Sequence, residues 1–284
     1  MKIGTIIQAR TKSTRFPEKI LKPLPIEDGI SVLQHVIRRV KCAKKSNMVI
    51  VATTHNEEDD VTVQLADLEE VGHFRGEEED VLSRYYYAAK ENELNVVVRV
   101  TSDCPCVDPD IIDFLIEEHS DKKSDYTSNT LKRTFPHGLD AEVIRFEALE
   151  RAFFNAKKHY EREHVTPYIW KNPHVFNLQN IEASGRLVAP HIRITLDTYE
   201  DYMLLAAVFD YLWRINPYFK GQDIVGLFAK KPWLSLINSN VKQKNIYDSV
   251  EEELEEAIKV LELQDLNKVA YILKKELERQ RRIV

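Results

Sequence analysis

The stretch Lys2-Ile-Gly-Thr-Ile-Ile7-Gln8-Ala9-Arg10-Thr-Lys12-Ser13-Thr-Arg15-Phe-Pro17-Glu-Lys19 runs from a short apolar segment directly into a loop studded with cations. Residues 2–7 are too few for a helix and rich in isoleucine, so they read as a buried strand. Working outward, residues 31–44 read as a helix with Val32, Val36, Ile37 and Val40 on one face, and residues 48–53 as a second buried strand. A polar helix over 57–70, a short strand near His73, a helix over 80–92 and a β-branched strand over 95–100 follow. The resulting β-α-β-α-β-α-β order predicts an α/β fold: a mostly parallel sheet with helices on both faces. In such sheets ligands bind beyond the carboxyl ends of the strands, which is where the cationic loop begins.

After residue 100 the pattern becomes mixed. Helices are expected over 109–119, 146–158, 161–170 and 199–213, and strands over 124–129, 141–145, 175–180 and 191–196. Residues 248–284 read as a helical hairpin, with Val250, Leu254, Ala257, Ile258 and Leu261 on one face of a first helix and Leu266, Val269, Ala270, Leu273 and Leu277 on one face of a second. The division expected is an α/β domain over 1–245 and a C-terminal helical extension over 246–284. The extension reads either as a pair of helices packed on the parent domain or as an oligomerisation element, so a homo-oligomer is one expectation.

Composition bounds the partners. The 284 residues are 43% hydrophobic and 30% charged, with 8 Gly and 11 Pro, which excludes disordered and collagenous classes. No apolar run approaches the roughly 18 residues of a membrane span, and no cleavable leader is evident, so a soluble, cytoplasmic protein is expected. Three cysteines, two of them in Cys104-Pro-Cys106, make no disulfide framework and no zinc spacing. The net charge of -6 argues against nucleic-acid coating, yet residues 1–45 hold 11 Lys/Arg against 3 Asp/Glu. Residues 57–80 hold 11 acidic residues against Arg75 alone. Positive charge concentrated in the first segment of an acidic protein suits a small anion. Arg10, Lys12, Arg15 and Lys19, with the Ser13 and Thr14 hydroxyls between them, suit a triphosphate, since Arg offers a planar donor fork and Lys a mobile point charge. A solvated basic loop is the alternative that spacing alone leaves open.

The order Gln8-Ala-Arg-x-x-Ser-x-Arg-x-Pro-x-Lys19 resembles the P-A-R-x-x-S-x-R-x-P-x-K signature of cytidylyltransferases that activate sialic acid, Kdo and related sugar acids. It is most similar to their SpsF-like branch, named for a spore coat polysaccharide biosynthesis protein. Further collinear strings carry the same resemblance: Phe74-Arg-Gly76 with Asp80-Val-Leu-Ser-Arg84-Tyr85, Arg99-Val-Thr-Ser-Asp103-Cys-Pro105, Ser128-Asn-Thr130 and Pro136-His-Gly-Leu-Asp140-Ala-Glu142. Glu161-Arg-Glu-His164-Val-Thr-Pro167-Tyr168, Arg193-Ile-Thr-Leu-Asp197-Thr-x-x-Asp201-Tyr202 and the string over 237–244 extend it to residues 2–245.

The resemblance implies a Mg²⁺-dependent nucleotidyltransferase that passes CMP from CTP to a sugar acid for polysaccharide or glycan biosynthesis, releasing pyrophosphate. It implies Gln8, Ala9, Arg10, Ser13, Lys19, Thr53, Thr54, Arg75 and Asp80 as nucleotide contacts, with Arg10, Arg15 and Lys19 stabilising the leaving pyrophosphate. Asp103 and Asp197 are the implied metal ligands; each follows a predicted strand, and the two carboxylates repel unless a cation sits between them. A helix N-cap is the other reading of each. Thr195 stands where the sialic acid synthetases carry another aspartate, which leaves the number of metal ions open. Asp140 and Glu142, two apart on a predicted strand and therefore on one side, read with Glu163 and His164 as acceptor contacts, or as ion-pair partners of Arg133, Arg145 or Arg162. Asp80 reads equally as a helix cap, and Asp108-Pro-Asp110 as an N-cap followed by Pro at N1. Competing functions are a nucleotidyltransferase with another acceptor such as a phosphorylated small molecule, a glycosyltransferase using Asp108-x-Asp110, and a non-catalytic nucleotide-binding protein.

Overall fold

The computed structural model describes residues 1–241 and 249–281. The end of the last motif string (242–244), the expected domain boundary at 245–246 and the first and last residues of the expected hairpin, 248 and 282–284, lie outside the described residues. The chain forms two compact units, Met1–Val241 and Lys242–Val284.

In the first unit β1 (Ile3–Gln8), β2 (Pro23–Leu24), β3 (Ile30–Ser31), α1 (Val32–Lys41), β4 (Met48–Thr54), α2 (Asp60–Leu68), β5 (Gly72–Gly76), α3 (Val81–Glu91) and β6 (Val96–Thr101) follow one another. The chain continues through α4 (Pro109–Lys122), β7 (Tyr126–Ser128), β8 (Glu142–Arg145), α5 (Phe146–Asn155), α6 (His159–His164), α7 (Pro167–Trp170) and β9 (Leu178–Asn180). It closes with α8 (Tyr199–Leu212), α9 (Gly221–Lys230) and α10 (Leu234–Ile237). The seven-stranded sheet has the order β5-β4-β1-β6-β8-β7-β9, and β2 and β3 form a separate two-stranded ribbon. β5, β4, β1 and β6 are parallel; β8 runs against both β6 and β7.

Strand alternation divides the core between the two faces of the sheet. Ile3 and Ile7 of β1, Val49 and Val51 of β4, and Val96, Val98 and Val100 of β6 pack with α1, α2, α4 and α8. Ile6, Ile50, Ala52 and Val97 pack with α3 and α5 on the opposite face. The chain steps from β1 out to β4 and β5, then returns to place β6 on the other flank of β1. The loops leaving β1 and β6 therefore open from neighbouring strand ends, a topological switch point.

Two expected elements differ. Residues 191–196 are not a strand of the sheet: they make one parallel bridge, His137 to Arg193. Ile192, Ile194 and Leu196 are buried in the core, which explains their alternation, but the backbone bonds to separate loops. The His137 N–H donates to Ile192 O, Ile194 N–H to His137 O and Leu196 N–H to Asp103 O, at 2.8, 2.7 and 2.8 Å. The single helix expected over 161–170 is instead α6 and α7. Pro167 lacks the N–H needed to continue α6 and takes the N1 position of α7. Val165 between them has φ 72° and ψ -56°, closing a γ-turn in which Thr166 N–H donates to His164 O at 2.9 Å.

In the second unit α11 (Val250–Leu263) and α12 (Asn267–Arg281) pair through Ile258, Ala270 and Leu277, flanked by Leu254, Leu261 and Leu273. Val250, Leu266 and Val269, expected on the packed faces, are exposed. Two helices alone close only a narrow seam.

Candidate active site

The loop leaving β1 is held from beneath by Asp59. This buried carboxylate accepts the Thr11 N–H at 2.7 Å, the Thr11 hydroxyl at 2.8 Å and the Thr54 hydroxyl. Farther on, Glu18 adopts φ 54° and donates its N–H to Thr11 O at 3.0 Å. That left-handed turn closes the loop and starts the 3-10 turn Lys19–Leu21, which directs Lys19 back across the carboxyl edge of the sheet.

There the two carboxylates meet. Thr101, the last residue of β6, donates its hydroxyl to Asp103 Oδ1 at 2.6 Å. The extended segment docked through Leu196 N–H delivers Asp197 beside it. Lys19 Nζ lies between the two, donating to Asp103 Oδ2 at 2.8 Å, Asp197 Oδ1 at 2.9 Å and Leu196 O at 2.7 Å. Arg15 reaches Asp197 Oδ1 at 3.0 Å. Arg193 binds Asp197 Oδ2 at 2.8 Å and forks onto both oxygens of Asp201, each at 2.9 Å. Burial opposes ionisation at Lys19, Asp103 and Asp197, but the opposite charges prevail. Asp103 and Asp197 are held below the usual carboxylate range, Asp197 well below it, and Lys19 is held above its ordinary value. All three are charged at neutral pH.

The other nucleotide candidates fall into two sets. Arg10, whose side chain is 43% exposed, pairs with Glu78 at 3.3 Å and lies with Lys12 over the outer loop; Ser13 Oγ accepts a long 3.4 Å bond from Phe16 N–H. Ala9 is buried, its N–H donated to Ala52 O at 3.0 Å. Gln8 Oε1 and Thr53 Oγ1 are buried without a hydrogen-bond partner; alternation sets them on opposite faces of the sheet, Gln8 with Ile6 and Ala52 at the strand end, and Thr53 fully buried with Val51. The second set is spent inside the fold. Arg75 donates to Thr54 O, Asn56 O and Asp60 Oδ1 at 2.6–2.7 Å. Asp80 caps α3 by accepting Ser83 N–H at 3.0 Å and binds Arg162 of α6, with Nε at 2.9 Å.

The acceptor candidates do not form the pair their spacing predicts. β8 begins at Glu142, so Asp140 lies before the strand. Arg133 grips it through two bonds of 2.6 and 2.8 Å. Glu142 points into the sheet, accepting the Tyr126 hydroxyl at 2.6 Å and pairing with Arg99. Asp140 instead joins the centre: His137 Nε2 lies 3.8 Å from Asp140, and its Nδ1 lies 3.2 Å from Arg193. Glu163 and His164, at the end of α6, lie 3.9 Å apart.

Asp108 caps α4 through Asp110 N–H and accepts Gly221 N–H, at 3.0 and 2.8 Å, while Asp110 pairs with Lys220. Neither faces the Lys19 centre. Cys104 and Cys106 are buried thiols; burial pushes Cys106 up to about 12.

An arginine- and lysine-bearing loop thus faces Asp103, just past β6, and Asp197, at the end of the docked extended segment. Residues 5–211 match the family described as cytidylyltransferase. The chain belongs to the cytidylyltransferase family. It is 33% identical over 229 residues to the spore coat polysaccharide biosynthesis protein SpsF of Bacillus subtilis, covering 80% of this chain and 94% of that one. It is similar to the structure of a cytidylyltransferase from Leptospira borgpetersenii (TM-score 0.77, 31% identity, 87% of this chain and 99% of that one). The fold is shared with a CMP:2-keto-3-deoxy-manno-octonic acid synthetase complexed with CTP (TM-score 0.56, 15% identity, 74% and 99% covered). Among the described residues, no helix is long and apolar enough to cross a membrane.

The donor set at the centre fits Mg²⁺. Asp103 and Asp197 are ionised, hard oxygen ligands, and Mg²⁺ commonly takes one or two carboxylates, completing its shell with water and substrate phosphates. Among the described residues no group of three or more His, Cys, Asp and Glu could hold a metal alone, so an all-protein cage is absent there. Asp59 carries no signal in the sequence pattern, whereas Arg193 and Asp201 stand in a motif string that by itself assigns them no role. The spacing Arg193, Asp197, Asp201 was the available signal: a strand-like segment running into a helix brings such a charge series to one point.

Proposed function

We propose that the chain transfers CMP from CTP to a sugar acid, with release of pyrophosphate, in surface polysaccharide or glycan biosynthesis. The observation that carries this reading is the meeting of Asp103 and Asp197 beside Lys19 and Arg15, opposite a loop whose outer cation is Arg10. The Kdo-activating enzyme with the same fold was captured with CTP, which supports CTP as the donor.

In this reading Gln8 offers its unpaired amide oxygen to the nucleoside at the end of β1. Arg10, Arg15 and Lys19 bind the triphosphate and take up the charge that grows on the leaving pyrophosphate. Asp140, oriented by Arg133 and linked through His137 to Arg193, and the Glu163-His164 pair hold the acceptor so that its hydroxyl faces the α-phosphate. The oxygen–phosphorus bond forms as the bond to the pyrophosphate oxygen breaks, and the hydroxyl proton leaves to a neighbouring base or water. Asp103 and Asp197 would hold Mg²⁺, which supplies charge neutralisation at the phosphoryl oxygens. Rate comes chiefly from positioning and electrostatics.

Thermal unfolding with CTP, UTP, ATP and GTP, each with and without Mg²⁺, tests the donor. Ligand at 100 times its dissociation constant adds about 2.7 kcal/mol. A shift largest with CTP, increased by Mg²⁺ and lost in Arg10→Ala is expected, followed by pyrophosphate release with sugar acids. Turnover with phosphorylated acceptors in place of sugar acids overturns the acceptor assignment.

A further inference from the structure

The Lys19 ammonium has three N–H donors, and all are used, on Asp103 Oδ2, Asp197 Oδ1 and Leu196 O. Those acceptors are hard oxygens converging from the end of β6 and from the docked extended segment. They are the oxygen types a small divalent cation takes, and here they surround a monovalent one. The charge around them is also closed. Lys19, Arg15 and Arg193 face Asp103, Asp197 and Asp201, at separations of 2.8–3.0 Å. The Lys19 side chain is 14% exposed, and those of Asp103 and Asp197 are 24% and 20% exposed.

A divalent cation arriving alone at this cluster must displace a paired ammonium, leaving it unpartnered in a poorly hydrated place, and must add uncompensated positive charge. A nucleoside triphosphate reverses both costs. Its oxygens offer the ammonium new acceptors, and its negative charge compensates the metal. Lys19 is suited to the exchange: its ammonium is a point charge on a flexible four-carbon stem, with no fixed fork geometry.

We propose that Lys19 is a resident counter-cation that closes the Asp103–Asp197 pair to free divalent metal, so that metal enters only with a nucleoside triphosphate, whose phosphates take over the Lys19 ammonium. This deepens the functional reading above and rests on its assignment of those carboxylates as metal ligands. Lys19 then has two successive positions, on the carboxylates before nucleotide arrives and on the phosphates afterwards.

Mn²⁺ serves as the probe, followed by water proton relaxation enhancement, which separates protein-bound ion from the Mn²⁺–CTP complex. Wild type is expected to bind no Mn²⁺ alone and to bind it with CTP. Lys19→Met, which keeps the stem and removes the charge, is expected to take up Mn²⁺ without nucleotide at least tenfold more tightly than wild type. Asp103→Asn added to Lys19→Met is expected to abolish that uptake. Lys19→Gln provides a second neutral variant should Lys19→Met melt far below wild type. Nucleotide-free wild type binding Mn²⁺ as tightly as both neutral variants overturns the proposal while leaving the metal assignment intact. Folded neutral variants that also exclude Mn²⁺ overturn it as well, because something other than Lys19 is then the barrier. No uptake by wild type even with CTP overturns the metal assignment and the proposal together.

Discussion

The sheet has two halves that present chemistry in different ways. On one side β5, β4, β1 and β6 lie parallel, and the polar side chains nearest the site stand at strand ends: Gln8 and Thr101 are the last residues of β1 and β6. On the other side β8 is reversed, and the polar groups near the centre come from loops, from an extended segment outside the sheet and from the first turn of α8. Asp140, His137, Arg193, Asp197 and Asp201 are joined to one another rather than to a shared edge. In the parallel half a residue's place follows from where its strand stops; in the mixed half it follows from which loop docks on which. Lys19 connects them, anchored in the first and bonded to both.

The connection is most severely broken at the carboxylates. Asp103→Asn and Asp197→Asn are each expected to lower pyrophosphate release about 10²–10³-fold, as for loss of a key electrostatic group, with the fold retained by circular dichroism. Effects within tenfold of each other would show that the halves act as one centre; a large loss in Asp103→Asn alone would make Asp197 a docking residue. Gly138→Ala attacks the mixed half alone. Gly138 has φ 111°, and an added Cβ would lie 2.6 Å from Ile194 O and 2.9 Å from Thr195 N. The substitution is expected to cost about 3 kcal/mol in chemical denaturation and to impair turnover more than CTP binding.

Asp59→Ala is the counterpart in the parallel half. It leaves the buried Thr11 N–H and Thr54 hydroxyl unpaired, expected to cost about 2 kcal/mol, and should weaken the CTP-induced thermal shift through loss of loop order. Equal loss of CTP binding in Gly138→Ala and Asp59→Ala would contradict the division between halves.

The smallest effect is on pH dependence, with one imidazole in each half. Burial lowers both His35, on α1 against Leu24 O, and His119, on α4 against Thr127, to about 4. Their unfolded value is about 6.5, so below that pH the unfolded chain binds more protons and stability falls until the folded groups titrate near 4. At pH 5.5 the loss is roughly 1 kcal/mol for each. His119→Gln should flatten the decline in denaturation midpoint between pH 7 and 5; an unchanged slope would place the proton uptake elsewhere.

How much of this was legible depended on the range of the deciding contacts. The order from β1 to β6 was readable because a strand's two-residue alternation and a helix's stripe are local. Residues 191–196 misled for the same reason: alternation of Ile192, Ile194 and Leu196 records one buried face and says nothing about which backbone pairs with the segment. Asp80 and Asp108 were legible as caps, since a capping carboxylate bonds within its own turn. Glu142 was not separable from Asp140 because the start of β8 and the partners Arg99 and Tyr126 are long-range facts.

By itself, then, the sequence determined that a cationic loop follows the first strand of a mostly parallel α/β sheet, and that Asp103 and Asp197 end apolar segments. Strand alternation, turn residues and residue order carry that information along the chain. Only the tertiary structure decided that the cation between those carboxylates is Lys19 and that Arg75 is committed within the fold. It also decided that Arg193, His137 and Asp140 extend the centre into the mixed half. Charges separated by 84 and 178 positions meet there because the switch point beside β1 and the docking of an extended segment bring them together, and neither leaves a local pattern.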